Sequence, residues 1–97
     1  MSVIGWHTVR VPGGLTAEVM GAVDGFARWL KDHGATQVHV VKISEDTYRV
    51  MDYWPDHATH AAMETAAAAG HFYGYMSSFH GETVTGQHGS GDIVSSH

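Results

Sequence analysis

Apolar residues along the chain first alternate, then recur every three or four positions, and the changes between these two periods mark its elements. Residues 3–11 alternate and are rich in β-branched and aromatic side chains, which predicts a strand that "PGG" at 12–14 ends. Thr16 is placed to cap a helix, and Glu18 suits the positive end of its first turn. Leu15, Val19, Ala22, Val23, Phe26, Trp29 and Leu30 then form one apolar stripe, and Gly34 stops the helix. "QVHVVKI" (37–43) and "YRVMDYW" (48–54) read as two strands joined by "SEDT". Pro55 cannot donate to a strand ladder and ends the second of them.

Asp56 opens a second helix through "HATHAAMETAAAA", favoured by six alanines between 61 and 69, and Gly70 breaks it. "HFYGYMSSF" predicts a further helical turn or two, followed by a weak strand at 82–86. Residues 87–97, "QHGSGDIVSSH", have no period and are expected to be a loose tail or a strand that docks elsewhere.

The order β-α-β-β-α-β predicts an α+β, ferredoxin-like fold with a four-stranded antiparallel sheet and both helices on one face. The chain reads as one domain, 1–97, with its core in 3–86. Both faces of the middle strands are apolar, with Val38, Val40, Met51 and Tyr53 assigned to one and Val41, Ile43, Val50 and Trp54 to the other. Two helices cover only one of them, so a homodimer packed sheet on sheet is expected.

Composition narrows the field. With 97 residues, 43% hydrophobic and 15% charged, the chain is a folded globule and not a disordered one. Five Lys and Arg against ten Asp and Glu leave a net charge of -5, and the scattered cations make nucleic acid an unexpected partner. No apolar run reaches the ~20 residues that span a bilayer, so no membrane partner is expected. The absence of cysteine rules out thiol nucleophiles and zinc–thiolate sites, and fits a cytoplasmic location. "MSVIGWHTVRV" does not resemble a signal peptide.

The nine histidines carry most of the candidate chemistry. His57, His60 and Glu64 fall on one helix face, but their spacing differs from a zincin pattern, and no metal is expected. If Ala58, Ala62, Ala66 and Ala69 face the sheet, these histidines face water. If "SEDT" sets Ile43 opposite Tyr48, then His39 opposes Asp52, and an aspartate beside an imidazole suits a general base. The alternative for His39 and Asp52 is a pair that satisfies two polar groups in a dimer interface.

Trp6 and His7 project to opposite sides of the first strand, so only one can enter a cavity between sheet and helices. Trp54, His71, Phe72 and Tyr75 are further candidates for contacting a substrate, the last three as an aromatic lid or as the packed end of a helix. Gly21 and Gly25 permit a close approach by the tail or a partner, or are neutral on a stable scaffold. "GGLTAEVMG" lacks the spacing of a nucleotide loop.

The stretch "YRVMDYWPDHATHAAMETAAAAGHFYGYMSSF" resembles the second half of the dimeric α+β barrel superfamily, of the antibiotic-biosynthesis-monooxygenase type. A strand ending in tryptophan, an acidic turn into a helix and a later His-Phe pair fall here on Trp54, Pro55–Asp56 and His71–Phe72. The resemblance implies a homodimer with a pocket in each protomer between sheet and helices. Members of the superfamily include cofactor-independent oxygenases acting on aromatic polyketides, heme-degrading oxygenases, isomerases and decarboxylases. The first strand lacks the asparagine of the heme degraders and position 76 is methionine, although His71 or His80 offers a substitute ligand. Three readings stay open: an enzyme on an apolar or aromatic small molecule, such as a cofactor-independent monooxygenase or isomerase; a non-catalytic binder of a lipid-like or aromatic ligand; and a heme or metal protein. The first carries no cofactor.

Overall fold

The structure, a computed structural model of the chain, describes residues 2–70 and 85–97. Six elements follow in order: β1 (Val3–Arg10), α1 (Ala17–Asp32), β2 (Gln37–Lys42), β3 (Thr47–Trp54), α2 (His57–Gly70) and β4 (Thr85–Asp92). The strands form a four-stranded sheet in the order β2-β3-β1-β4, every neighbouring pair antiparallel. This is the expected ferredoxin-like arrangement.

Local chemistry explains the helix ends. The Thr16 hydroxyl accepts from the Val19 amide at 3.2 Å, and the His33 amide closes the other end of α1 onto carbonyls of its last turn. Gly34 follows at φ 107, a left-handed conformation that costs a side-chain-bearing residue about 1–2 kcal/mol. Asp56 caps α2, its carboxylate accepting from the Thr59 amide at 2.8 Å and the Thr59 hydroxyl at 2.7 Å.

Val19, Val23, Phe26 and Leu30 line one side of α1 and meet Val3 and Val9 of β1, Tyr48, Val50 and Trp54 of β3, and Met63 of α2 in a single core. The inward sheet face is therefore Val3, Gly5, His7 and Val9 on β1 with Tyr48, Val50, Asp52 and Trp54 on β3. Val38 and Val40 of β2 join it, opposite Asp52 and Val50.

Three expectations need correction. The β2–β3 hairpin closes one residue tighter than expected: the Ile43 amide donates to the Thr47 carbonyl at 2.9 Å, and Lys42, not Ile43, lies opposite Tyr48. Because side chains alternate, this slip exchanges faces. Val41, Met51 and Tyr53 point outward with Trp6, and Val38 and Val40 point in. Second, the last strand, expected to end at 86, extends to Asp92, and of the two forms expected for 87–97, a loose tail or a docking strand, residues 87–92 take the strand. It forms despite three interior glycines because all eight residues of β1 pair with it, and the Ile93 amide extends the contact to the Ser2 carbonyl at 3.0 Å. Third, Ala58 and Ala62 of α2 do not face the sheet. Met63 and His60 do, at 2% and 7% exposure, while Ala58, Ala61 and Ala62 are exposed.

Among the described residues, no helix lies over the outward sheet face. Trp6 at 37%, Val41 at 40% and Ile43 at 52% are its exposed large apolar residues, with Ile4, Met51 and Tyr53 half-buried among them.

Candidate functional site

The sheet carries one buried acid on its helix-covered face. Asp52 lies near the end of β3, fully buried, directly opposite Gly5 of β1. Glycine at that rung is what makes room for it. A Cβ built on Gly5 would collide with Asp52 Oδ1 and come within 3.2 Å of its Cγ and 3.3 Å of His60 Nε2.

Around Asp52 the polar contacts are few and directed. Oδ1 accepts from the Trp54 indole N–H, two residues on along the same face. Oδ2 is buried without a hydrogen bond and faces His7 Nε2 at 3.5 Å. That distance is too long for a good hydrogen bond but short enough for a proton to pass after a small movement. A buried polar atom left unpaired costs about 1–3 kcal/mol, so this oxygen is a point where a further donor stabilises the site.

Two histidines flank the acid from different elements. His7, 14% exposed, sits edge-on to Phe26 with ring centroids 5.4 Å apart at 86°. His60 comes down from α2 and meets the Trp54 ring edge-on at 5.6 Å, while its Nδ1 lies 3.0 Å from Glu64 Oε1. At the rim, His57 Nε2 and Asp92 Oδ1 are 2.6 Å apart and tie the start of α2 to the end of β4.

The expected residues divide as follows. His7 and Trp54 do line the space between sheet and helices. Asp52 is there too, but not with His39: that residue opposes Met51, is exposed on the outward face and stacks edge-on with Tyr53 at 6.1 Å. The proposed His39–Asp52 pair is therefore replaced by His7–Asp52. Trp6 is also on the outward face, its indole lying against Gly89, where an added Cβ would come 2.6 Å from Trp6 Cζ2. His71, Phe72 and Tyr75 lie outside the described residues. His60 was expected to face water and instead completes the buried group. Its helix is too uniformly alanine to reveal its phase, and the only available signal was Met63 three residues further on.

No three His, Asp or Glu residues are grouped as metal ligands among the described residues. A separate groove of about 290 Å³ lies on the outward side, lined by Thr8, Arg10, Thr47, Gly86 and Gln87. Its cation is already engaged, since Arg10 Nε donates to Asp46 Oδ2 at 2.9 Å. The same bond, after those from Thr47 and before that from Ser44, holds the Asp46 carboxyl below the usual carboxylate range. The groove is remote from Asp52 in the sense that matters, being on the other face of the sheet.

Fold and site together describe a ferredoxin-like domain with an acid–imidazole pair on its inner sheet face. No family model matches the chain, and no curated protein matches it. Solved structures do match. SnoaB, a cofactor-independent oxygenase from Streptomyces nogalater, superposes with a TM-score of 0.73 at 17% identity, over 98% of this chain and 95% of that one. A dimeric ferredoxin-like protein from an uncultured marine organism gives 0.70 at 12% identity, over 99% and 98%. A protein of unknown function from Nitrosomonas europaea gives 0.68 at 14%, over 100% and 94%. At these identities the likeness shows the ferredoxin-like fold. Among the described residues, no helix is long and apolar enough to cross a membrane.

Proposed function

We propose that the chain is a small homodimeric enzyme that takes an apolar or aromatic small molecule between sheet and helices and removes a proton from it without a cofactor. The observation that carries this reading is the unpaired, buried Oδ2 of Asp52 facing His7 Nε2. A carboxylate fixed on one oxygen by the Trp54 indole and open on the other is a positioned base. Phe26, Trp54 and Met63 of the same core are apolar and would contact a ring.

Proton abstraction from an activated C–H or phenol breaks that bond, moves the proton to the Asp52–His7 pair and leaves an electron-rich carbanion or phenolate. Returning the proton at another carbon gives isomerisation. Reaction of the same anion with dioxygen gives oxygenation, the class of chemistry that SnoaB performs. The dimer is supported by the uncovered apolar face bearing Trp6, Val41 and Ile43, and by the dimeric neighbour of the same fold.

The test uses β-tetralone, a bicyclic aromatic ketone whose benzylic methylene exchanges through its enolate. Incubated with the protein in D2O, it should lose methylene protons, followed by NMR, faster than in buffer alone. Asp52→Asn keeps an acceptor for the Trp54 indole and should slow the exchange by at least about 10²-fold. Oxygen uptake in the same vessel separates oxygenation from isomerisation. Saturable binding of the ketone with no exchange above the buffer rate would make the protein a binder and remove the catalytic reading.

A further inference from the structure

The base just described is sealed in. Asp52 has no exposed surface, so a proton it takes from a substrate cannot pass straight to solvent. Turnover needs a route. Resting on the reading above, we propose that His88 of β4 and His7 of β1 form a proton relay that connects Asp52 to bulk water.

The register places the two imidazoles together. His7 and His88 are direct partners across the β1–β4 ladder, on the sheet face that carries Asp52. Directly opposed residues on one face hold their Cβ atoms about 5 Å apart. The rings lie nearly parallel, at 21°, with centroids 6.1 Å apart. A proton passing between them needs a bridging water, because centroids this far apart leave no direct hydrogen bond between the rings. His7 is mostly covered and has its Nε2 toward Asp52, whereas His88 is exposed. The line therefore runs from a buried acid through a half-buried imidazole to a wet one.

The chemistry of imidazole fits each station. A ring that gains a proton at one nitrogen can release one from the other, so an imidazole can pass protons onward. Protonation of His7 Nε2 by Asp52 is matched by loss of a proton from the other nitrogen to the bridging water, then to His88 and to solvent. Atoms and charge balance without an oxidant or a metal. Among the described residues, His57 pairs with Asp92 and His60 with Glu64. The residue class on β4 matters here: the strand is otherwise Thr, Gly, Gln, Ser and Asp, and His88 is its one imidazole.

The experiment measures β-tetralone exchange in D2O for the wild type, Asp52→Asn and His88→Gln, with and without added imidazole. His88→Gln removes an exposed side chain from an edge strand, and its thermal melt confirms folding. The expected result is a fall of at least about tenfold in kcat with KM little changed, restored by imidazole in the buffer. A second variant, His88→Asn, should behave in the same way. Wild-type kcat in both folded variants, with Asp52→Asn inactive, would overturn the relay and leave the base intact. A slow variant that imidazole does not restore assigns His88 a structural role and likewise overturns it. Undiminished exchange in Asp52→Asn would remove both proposals at once.

Discussion

Replacing Gly5 with alanine tests the local geometry on which the site depends. The added methyl points into Asp52, overlapping Oδ1 and reaching 3.2 Å from Cγ and 3.3 Å from His60 Nε2. None of these neighbours is the loose end of an exposed chain. Asp52 is fully buried and held by the Trp54 indole, and His60 is 7% exposed beneath α2. If the carboxylate rotates away, a buried N–H loses its acceptor, at about 1–3 kcal/mol. If it stays, the strand must move, and overpacking of this kind costs about 1–3 kcal/mol. The expected destabilisation is about 2–3 kcal/mol, the upper half of that range. In a domain of this length, each kcal/mol lowers Tm by about 4–8 °C. Urea unfolding followed by circular dichroism should show a lower midpoint with an unchanged slope. Protein concentration must be matched, because the proposed dimer would make apparent stability depend on it. Gly21→Ala is the internal control. That position is exposed on α1 with nothing within 4 Å of an added Cβ, so alanine there should stabilise by about 0.5–1 kcal/mol. Equal midpoints for Gly5→Ala and wild type would mean that Asp52 is not packed against β1 as described, and the site argument would go with it.

Two further outcomes follow. Trp6→Glu places a charge at the centre of the uncovered face and should convert a dimer to a particle of 10.5 kDa in sedimentation, leaving the secondary structure unchanged. Asp56→Ala should lower Tm by removing the cap of α2. Bonds from the Thr59 amide first and its hydroxyl second hold the Asp56 carboxyl below its ordinary range, so the cap's contribution is complete above that range. It is lost as pH falls through the lowered value, and the gap in Tm between wild type and variant should close in acid.

How far the sequence could be read depended on which signals were local. Thr16 and Asp56 announce their helices because a cap is made within three residues of itself. The element order followed from such signals, and with it the fold. The hairpin register did not. Three residues, Ser44 to Asp46, separate Ile43 from Thr47, where a four-residue turn looked equally good, and no glycine marks the difference. That single residue moved His39 to the outer face and left Asp52 to a different histidine. β4 was hidden for the opposite reason: its glycines and serine carry little strand preference, and pairing along β1 decides its structure. His60 was hidden by a helix of alanines with no contrast between its sides.

The placement of the tryptophans also makes the protein its own optical probe. The Trp54 indole N–H donates a hydrogen bond to the buried carboxylate, so anything that binds beside Asp52 alters the emission of that ring. Trp6 lies over Gly89 on the open side, and its spectrum should shift to the blue when a second sheet shields it. Trp29 packs against the His33 ring, with centroids 3.9 Å apart, and reports neither event. Single-tryptophan versions would then report occupancy and assembly as two separate signals.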